Sequence, residues 1–236
     1  MPLVLKVILC ILFGYVIGTI NPTYIIGRLR GFDIRRRGSG NAGASNAIII
    51  MGKAVGILSA IFDILKASAV MWLAPVIFAD LPFAAEIAGA CAIAGHIFPF
   101  HMGFKGGKGL ACLGGVLLAI DPRLFLIVLT AEIVLVLIVD YICIVPITAS
   151  ILTPFLYVFF GKNYLDLLWR AEGGWWGAAI LGVASLIILS RHIQNIKRIR
   201  NGTELHFSYL WKKDKAQTDE LARIGKTLED KNIDSK

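Results

Sequence analysis

Several separate apolar runs in this chain reach the length a helix needs to cross a lipid bilayer, about 17–25 residues. No other feature constrains the fold as strongly. Hydrocarbon offers no water to backbone N–H and C=O groups, so a spanning segment must satisfy them internally. The loops between the runs are too short for a second globular domain. The chain is 57% hydrophobic over 236 residues, with a mean hydropathy of +0.73, more than a soluble domain needs. These properties predict an all-α membrane protein: a single membrane domain over residues 1–205, then a charged tail over 206–236.

Seven transmembrane helices are predicted. The first covers roughly Leu3–Ile26, with Asn21-Pro22 as a kink. Lys6 and the run after it have the outline of a signal peptide. No small-residue cleavage site precedes Gly14, however, and the run continues past Tyr24, so it is kept as a span. The others cover roughly Ala54–Phe78, Phe83–Phe100, a shorter Gly109–Ile120, Leu124–Val139, Ile142–Phe160 and Trp175–Ser190. Trp175 and Trp176 suit an interface. A mixed-charge loop is expected over Gly161–Gly174; the tail is expected to be a solvated appendage, with a short charged helix over Gln217–Leu228 as the alternative.

An odd number of spans puts the chain ends on opposite sides. Loops 27–53 and 101–108 and the tail hold most of the Lys and Arg, while loops 80–86, 121–123 and 161–174 are near neutral. The positive-inside bias therefore predicts an N-terminus outside and a C-terminus in the cytoplasm, as in a bacterial inner-membrane protein. The same bias accounts for the net charge of +8 without a nucleic-acid partner. Cys10, Cys91, Cys112 and Cys143 lie in or beside apolar runs without CxxC spacing. They are expected to be reduced packing residues, with no disulfide frame and no metal site.

Polar, glycine-rich stretches interrupt this pattern, all on the predicted cytoplasmic side. Gly95–Ala111 holds His96, Lys105, Gly106, Gly107, Lys108 and Gly109. Glycines can turn backbone N–H groups toward one point, and a nearby lysine adds charge, which makes an anion site. It is not a P-loop: that motif needs glycine at Met102 and a hydroxyl at Gly109. Gly38–Asn46 packs Gly38, Ser39, Gly40, Asn41, Gly43 and Asn46 behind Arg35, Arg36 and Arg37. This is either a plain loop with headgroup-facing arginines or a phosphate site. His192 and Asn195, three apart on one helical face beside Arg191 and followed by Glu204, are either interface residues or a site. Inside the second span, Asp63 and Lys66 are either a structural ion pair or a polar centre. Glu132 has no obvious local partner.

Taken together, these stretches resemble the bacterial acyl-phosphate-dependent glycerol-3-phosphate acyltransferases (the PlsY type) over roughly residues 8–205. GSGNxGxxN is met by Gly38–Asn46, GHxxPxxxxFKGGKG by Gly95–Gly109, RHxxNxxRxxxGxE by Arg191–Glu204 and FDxLK by Phe62–Lys66. The resemblance implies transfer of a fatty acyl group from acyl phosphate to the 1-hydroxyl of glycerol 3-phosphate, giving lysophosphatidate and phosphate, without a cofactor. It implies that Ser39, Asn41 and Gly43 bind phosphate, that Lys108 neutralises the acyl phosphate, and that His192 and Asn195 position the acceptor. Gly38, Gly40, Asn46, His96, Lys105, Gly106, Gly107, Gly109, Arg191 and Glu204 are expected around the substrates. No histidine has aspartate five residues on, so an HxxxxD acyltransferase is excluded. The chain departs from the family at Ile49, Cys112 and Cys143, where arginine, threonine and serine are usual. A divergent member with another acceptor or none, an anion transporter or channel, and a non-catalytic lipid-pathway partner are the alternatives. Flux without acyl donor marks the transporter, and binding without turnover the non-catalytic partner.

Overall fold

The computed structural model describes residues 1–168, 174–204 and 206–208, with the helical backbone alone along 161–168. Among the described residues no strand forms, and the β-type pairing is an isolated bridge between Tyr141 and His206. The helices are α1 (Leu3–Thr19), α2 (Pro22–Leu29), α3 (Ala44–Met51), α4 (Lys53–Ile77), α5 (Ala84–Ile97), α6 (Leu110–Ile120), α7 (Pro122–Val139), α8 (Ile144–Leu168) and α9 (Trp175–Arg200). Short 3-10 turns stand at Ile34–Arg36 and Phe100–Met102. The alternative helix over Gln217–Leu228 lies outside the described residues.

The first apolar run bends by 44° between α1 and α2. Pro22 has no N–H to continue the helix, and Asn21 restarts it: its Oδ1 accepts from the Tyr24 N–H at 2.9 Å. Helix α1 lies along α5, and small residues allow the approach. A Cβ at Gly14 or Gly18 would collide with the backbone of Ala88 or Ala92, and one at Gly95 with that of Tyr15. Glycines and alanines four apart on facing helices bring the two backbones together, the main source of helix association in lipid. Helix α6 meets α4 the same way: Gly115 rests on the Ile64 carbonyl, and the Ser68 hydroxyl donates to the Gly115 carbonyl at 2.8 Å. Helix α9 packs on α8 with Gly177 against the Tyr157 ring, and on α5.

The outer surface is apolar. Leu58, Leu65, Ile127, Ile138 and Phe159 are among many large exposed side chains. In water such a surface would aggregate; in a bilayer it is the lipid contact. Helices α4, α7 and α9 are each long and apolar enough to cross a membrane, and α1 with α2 makes a fourth if the bent pair is one span. The expectation of seven spanning helices meets a difference here. Helices α5 and α6 have 14 and 11 residues, about 21 and 16 Å against a hydrocarbon core of about 30 Å. The α-helix ends at Ile97 and resumes at Leu110, so α5 stops three residues before the expected end at Phe100, while α6 starts one residue after the expected Gly109.

Three other boundaries move. The basic loop contains α3, because Ala44–Met51 is a helical run that follows directly on the glycines. Helix α8 continues to Leu168, into the predicted loop. Helix α9 continues past Ser190 to Arg200, so His192 and Asn195 stand on a regular helix. Packing also continues past residue 205, since His206 and Ser208 bond to Asp140.

The α1–α5 contact gives a direct test. Gly18→Leu must push α1 off the Ala92 backbone, and overpacking of this kind costs about 1–3 kcal/mol. The thermal midpoint in detergent should drop by several degrees, whereas Leu9→Ala on the exposed face of α1 should leave it nearly unchanged.

Candidate functional site

Beneath the polar stretches lies a buried knot of charge. The Lys66 ammonium sits 2.6 Å from Asp63 Oδ1, three residues back on α4. It donates to the Ile20 carbonyl at 2.6 Å and lies 3.2 Å from His96 Nδ1. Ile20 is at the α1–α2 bend, where the broken helix leaves a carbonyl to be satisfied. His96 Nδ1 is also 3.4 Å from Asp63. All three side chains are almost wholly buried. His96 Nδ1 thus faces both the Lys66 ammonium and the Asp63 carboxylate, which leaves the Nε2 side of the ring toward Gly107. A Cβ at Gly107 would collide with that nitrogen. Asp63, His96 and Cys112 also place three metal-ligand atom types within 4.8 Å of one another. Lys66 already supplies the cation at that spot, so the geometry argues for an organic ion pair.

Glycine-rich residues 38–46 are held from both sides. The Asn21 amide donates to the Ala42 carbonyl at 2.9 Å, and the Thr23 hydroxyl donates to the same oxygen at 2.8 Å. From within, Asn46 Nδ2 reaches the carbonyls of Ile34, Arg37 and Asn41 at 2.9–3.2 Å, while its Oδ1 accepts from the Ser39 N–H at 2.9 Å. Asn46 is therefore committed to the loop's own backbone. Gly38 and Gly40 have positive φ, 57° and 73°, which a side chain disfavours. Gly43 leaves room for the Asn41 amide, 2.8 Å from where a Cβ would be. Ser39 and Asn41 remain half-buried at the loop's surface.

Arg35 joins this loop to the next. Its guanidinium pairs with Asp33 at 2.7 Å and donates to the Met102 carbonyl, with Lys105 O at 3.4 Å. Burial disfavours the Asp33 charge, yet the hydrogen bonds and charge of Arg35 hold its carboxyl below the usual range. Arg37 stacks over Phe32 at 4.2 Å. Arg35, expected either at the headgroups or beside a phosphate site, thus acts as a tie between loops. Ile49 itself is half-buried on α3.

In the second stretch the glycines serve close approach more than donation. The Gly106 and Gly107 N–H groups bond to the Ile97 and His96 carbonyls at 2.9 and 3.0 Å, closing off the end of α5. Gly109 has φ +92° and lies against Ile97 and Ile188. The turn projects Lys108 onto α9, where its ammonium donates to Asn195 Oδ1 at 2.7 Å. The Asn195 amide donates to Glu204 Oε1 at 2.6 Å, and Arg198 Nε donates to Glu204 Oε2 at 2.6 Å. Burial, with help from the Arg198 charge, pushes Lys108 down to about 8; Glu204 and Cys143 oppose this and Arg191 adds to it. On the same face of α9, His192 Nδ1 lies 2.9 Å from the Ile188 carbonyl. The carbonyl must accept, so the ring proton is on Nδ1 and Nε2 keeps a lone pair.

The structure thus brings Lys108, His192, Asn195 and Glu204 together and ties them through His96 and Met102 to the Gly38–Asn46 loop. Lys105 is exposed at the rim, and Arg191 lies over the Phe98 ring at 5.9 Å. Cys143, at the start of α8, stands beside Glu204. Two residues that shape the site escaped the sequence reading: Asn21 is expected there only as a kink, and Thr23 carries no signal. Arg198 stands in the RHxxNxxRxxxGxE pattern without a role of its own, and the structure pairs it with Glu204. Asp63 and Lys66 do pair as the i, i+3 spacing suggested, and Glu132 has a partner, the Thr148 hydroxyl at 2.7 Å.

The chain matches the family model for glycerol-3-phosphate acyltransferase over residues 8–202. It is 34% identical over 201 residues to the glycerol-3-phosphate acyltransferase of Macrococcus caseolyticus, covering 85% of this chain and 96% of that one. It is 32% identical to the Aquifex aeolicus enzyme of the same name, covering 86% and 100%. Two crystal structures of PlsY, an integral membrane glycerol 3-phosphate acyltransferase, superpose at 30% identity. The glycerol 3-phosphate form gives a TM-score of 0.71 over 86% of this chain and 96% of that one. The lysophosphatidic acid form gives 0.69 over 85% and 94%.

The Asn46 contacts yield a prediction. Asn46→Ala removes the side-chain partner of the Asn41 carbonyl and of the Ser39 N–H, and a second donor from the Ile34 and Arg37 carbonyls, and an unmet buried group costs about 1–3 kcal/mol. Asn46→Asp also removes the donors and adds a buried charge facing carbonyls. Thermal unfolding in nanodiscs should rank the wild type above Ala and Ala above Asp.

Proposed function

This chain belongs to the glycerol-3-phosphate acyltransferase family, and from that premise we propose that it transfers a fatty acyl group from acyl phosphate to the 1-hydroxyl of glycerol 3-phosphate. The acceptor oxygen attacks the acyl carbon, the bond from that carbon to the phosphate oxygen breaks, and the products are lysophosphatidate and inorganic phosphate. The observation that carries the assignment is the partly desolvated Lys108 ammonium held on Asn195. A cation in that setting suits an anhydride phosphate that gains charge as it leaves. Acyl phosphate already has a good leaving group, so positioning and charge stabilisation suffice and no covalent nucleophile is needed.

In this reading Ser39, Asn41 and the rim of the Gly38–Asn46 loop hold a phosphate, with Lys105 and Arg191 at the mouth. Asn195 is held by Glu204 and orients Lys108. The hydroxyl proton passes either to Nε2 of His192, whose tautomer suits that role, or to a substrate phosphate. The supporting placement is topological. The chain crosses a bacterial inner membrane seven times with its N-terminus outside, α5 and α6 serve as short crossings, and the site faces the cytoplasm. The membrane domain is residues 1–205, and the tail after it begins with the His206–Ser208 contacts to Asp140.

Purified protein given acyl phosphate and glycerol 3-phosphate should form lysophosphatidate. Lys108→Ala should lower the rate by about 10²–10³-fold, the usual effect of removing one charge-stabilising donor. His192→Ala should lower it by about 10²–10⁴-fold if the ring takes the proton, and less if phosphate does. Wild-type rates in both variants would defeat the assignment. Lys108 is charged below about 8, so activity should fall as pH rises through that value. Lys108→Arg should carry that alkaline limb upward.

A further inference from the structure

Asp140 closes α7 with a φ of 60°, the left-handed region where glycine is usual. Its carboxylate reaches the segment that follows α9. The Ser208 N–H donates to Oδ1 at 2.7 Å and the Ser208 hydroxyl to Oδ2 at 2.8 Å. His206 Nδ1 is 3.1 Å from Oδ2, and the Phe207 N–H donates to the Asp140 carbonyl at 2.7 Å. The Tyr141 and His206 rings stack with centroids 4.6 Å apart. Burial disfavours the Asp140 charge, but the Ser208 bonds and His206 hold its carboxyl below the usual range. Two residues before this latch the same segment delivers Glu204 to Asn195 and Arg198. Cys143, three residues past Asp140, meets Glu204 on another side.

We propose that Asp140 is a positioning residue for acyl transfer: it fastens His206–Ser208 of the strap that follows α9, and so holds Glu204 where it fixes Asn195 and Lys108. The proposal rests on the acyltransferase reading above but is measurable without turnover. Aspartate tolerates the left-handed backbone and glycine suits it better; what glycine cannot supply is the carboxylate that Ser208 and His206 meet.

Lys108 is the reporter. The ionisable groups facing it are Arg191, His192 and Arg198 on α9, Glu204 on the strap and Cys143 on the turn before α8. Glu204 favours its charge, and Arg198 opposes it. Releasing the strap withdraws the first and leaves the second unpaired, so the Lys108 ammonium should lose its proton at lower pH.

The test uses the full chain in nanodiscs with Asp140→Gly and Asp140→Asn. Glycine relaxes the turn and deletes the latch; asparagine keeps an acceptor for the Ser208 N–H and loses the charge. Competitive acetylation of Lys108 by acetic anhydride across pH, read by mass spectrometry, gives its titration midpoint directly. The expected midpoint for Asp140→Gly lies at least about half a unit below wild type, with asparagine between and thermal midpoints within a few degrees. With acyl phosphate and glycerol 3-phosphate, kcat/KM should fall at least about tenfold for glycine, and the alkaline limb should shift acidward. An unshifted Lys108 midpoint in Asp140→Gly overturns the proposal, as does a shift accompanied by loss of the folded protein in both variants. A wild type without acyl transfer would defeat the parent reading, while the Lys108 titration would still decide the latch.

Discussion

One lysine ammonium placed where lipid would otherwise be explains most of what this chain builds at its polar end. A lysine at the centre of a span costs about 3 kcal/mol or more unless it is neutralised and hydrogen-bonded. Lys66 meets both conditions only because Asp63 lies one turn back on its own helix and two other segments come to it: the α1–α2 bend with the Ile20 carbonyl, and the end of α5 with His96. Removing one partner would leave a buried charge uncompensated, which makes the arrangement close to all-or-none. Each of these segments in turn carries a piece of the site. The bend carries Asn21, which holds Ala42 in the first glycine loop. His96 carries the second loop on its backbone carbonyl and beneath its ring. The knot therefore lies beneath the proposed chemistry and sets the spacing between the two loops.

Glycine does two different jobs at this site. In Gly38 and Gly40 it permits left-handed backbone, so the loop can turn back on Asn46. In Gly106 and Gly107 it permits contact, because their N–H groups are already bonded to the end of α5 and only the absence of a Cβ matters. The anion-binding capacity expected from the second stretch thus rests on the lysine it presents more than on the amides of those two glycines. Lys108 presents its charge against Asn195, and Asn195 is fixed by Glu204. A short polar relay thereby connects the turn at Gly109 to the end of α9.

Much of this was legible in the chain. The apolar runs located the helices, and Asn21-Pro22 marked the bend, because proline and hydrophobic length act locally. The i, i+3 spacing placed Asp63 beside Lys66 and His192 beside Asn195, since a helix fixes those neighbours. What stayed hidden depended on tertiary approach. Nothing near Arg35 in sequence signals that its guanidinium reaches Met102, sixty-seven residues away, or that His96 completes the Lys66 shell. The length of α5 was overestimated because Phe98–Phe100 is apolar enough to extend a run whose helix ends at Ile97, whereas α6 agrees with the short span expected from Gly109 to within one residue.

Hydrogen–deuterium exchange on Lys66→Met in nanodiscs tests this account most directly. If the buried ammonium holds both glycine loops, amides across 38–46 and those of Gly106 and Gly107 should exchange faster together, while α7 keeps its wild-type protection. Unchanged exchange in both loops would contradict it.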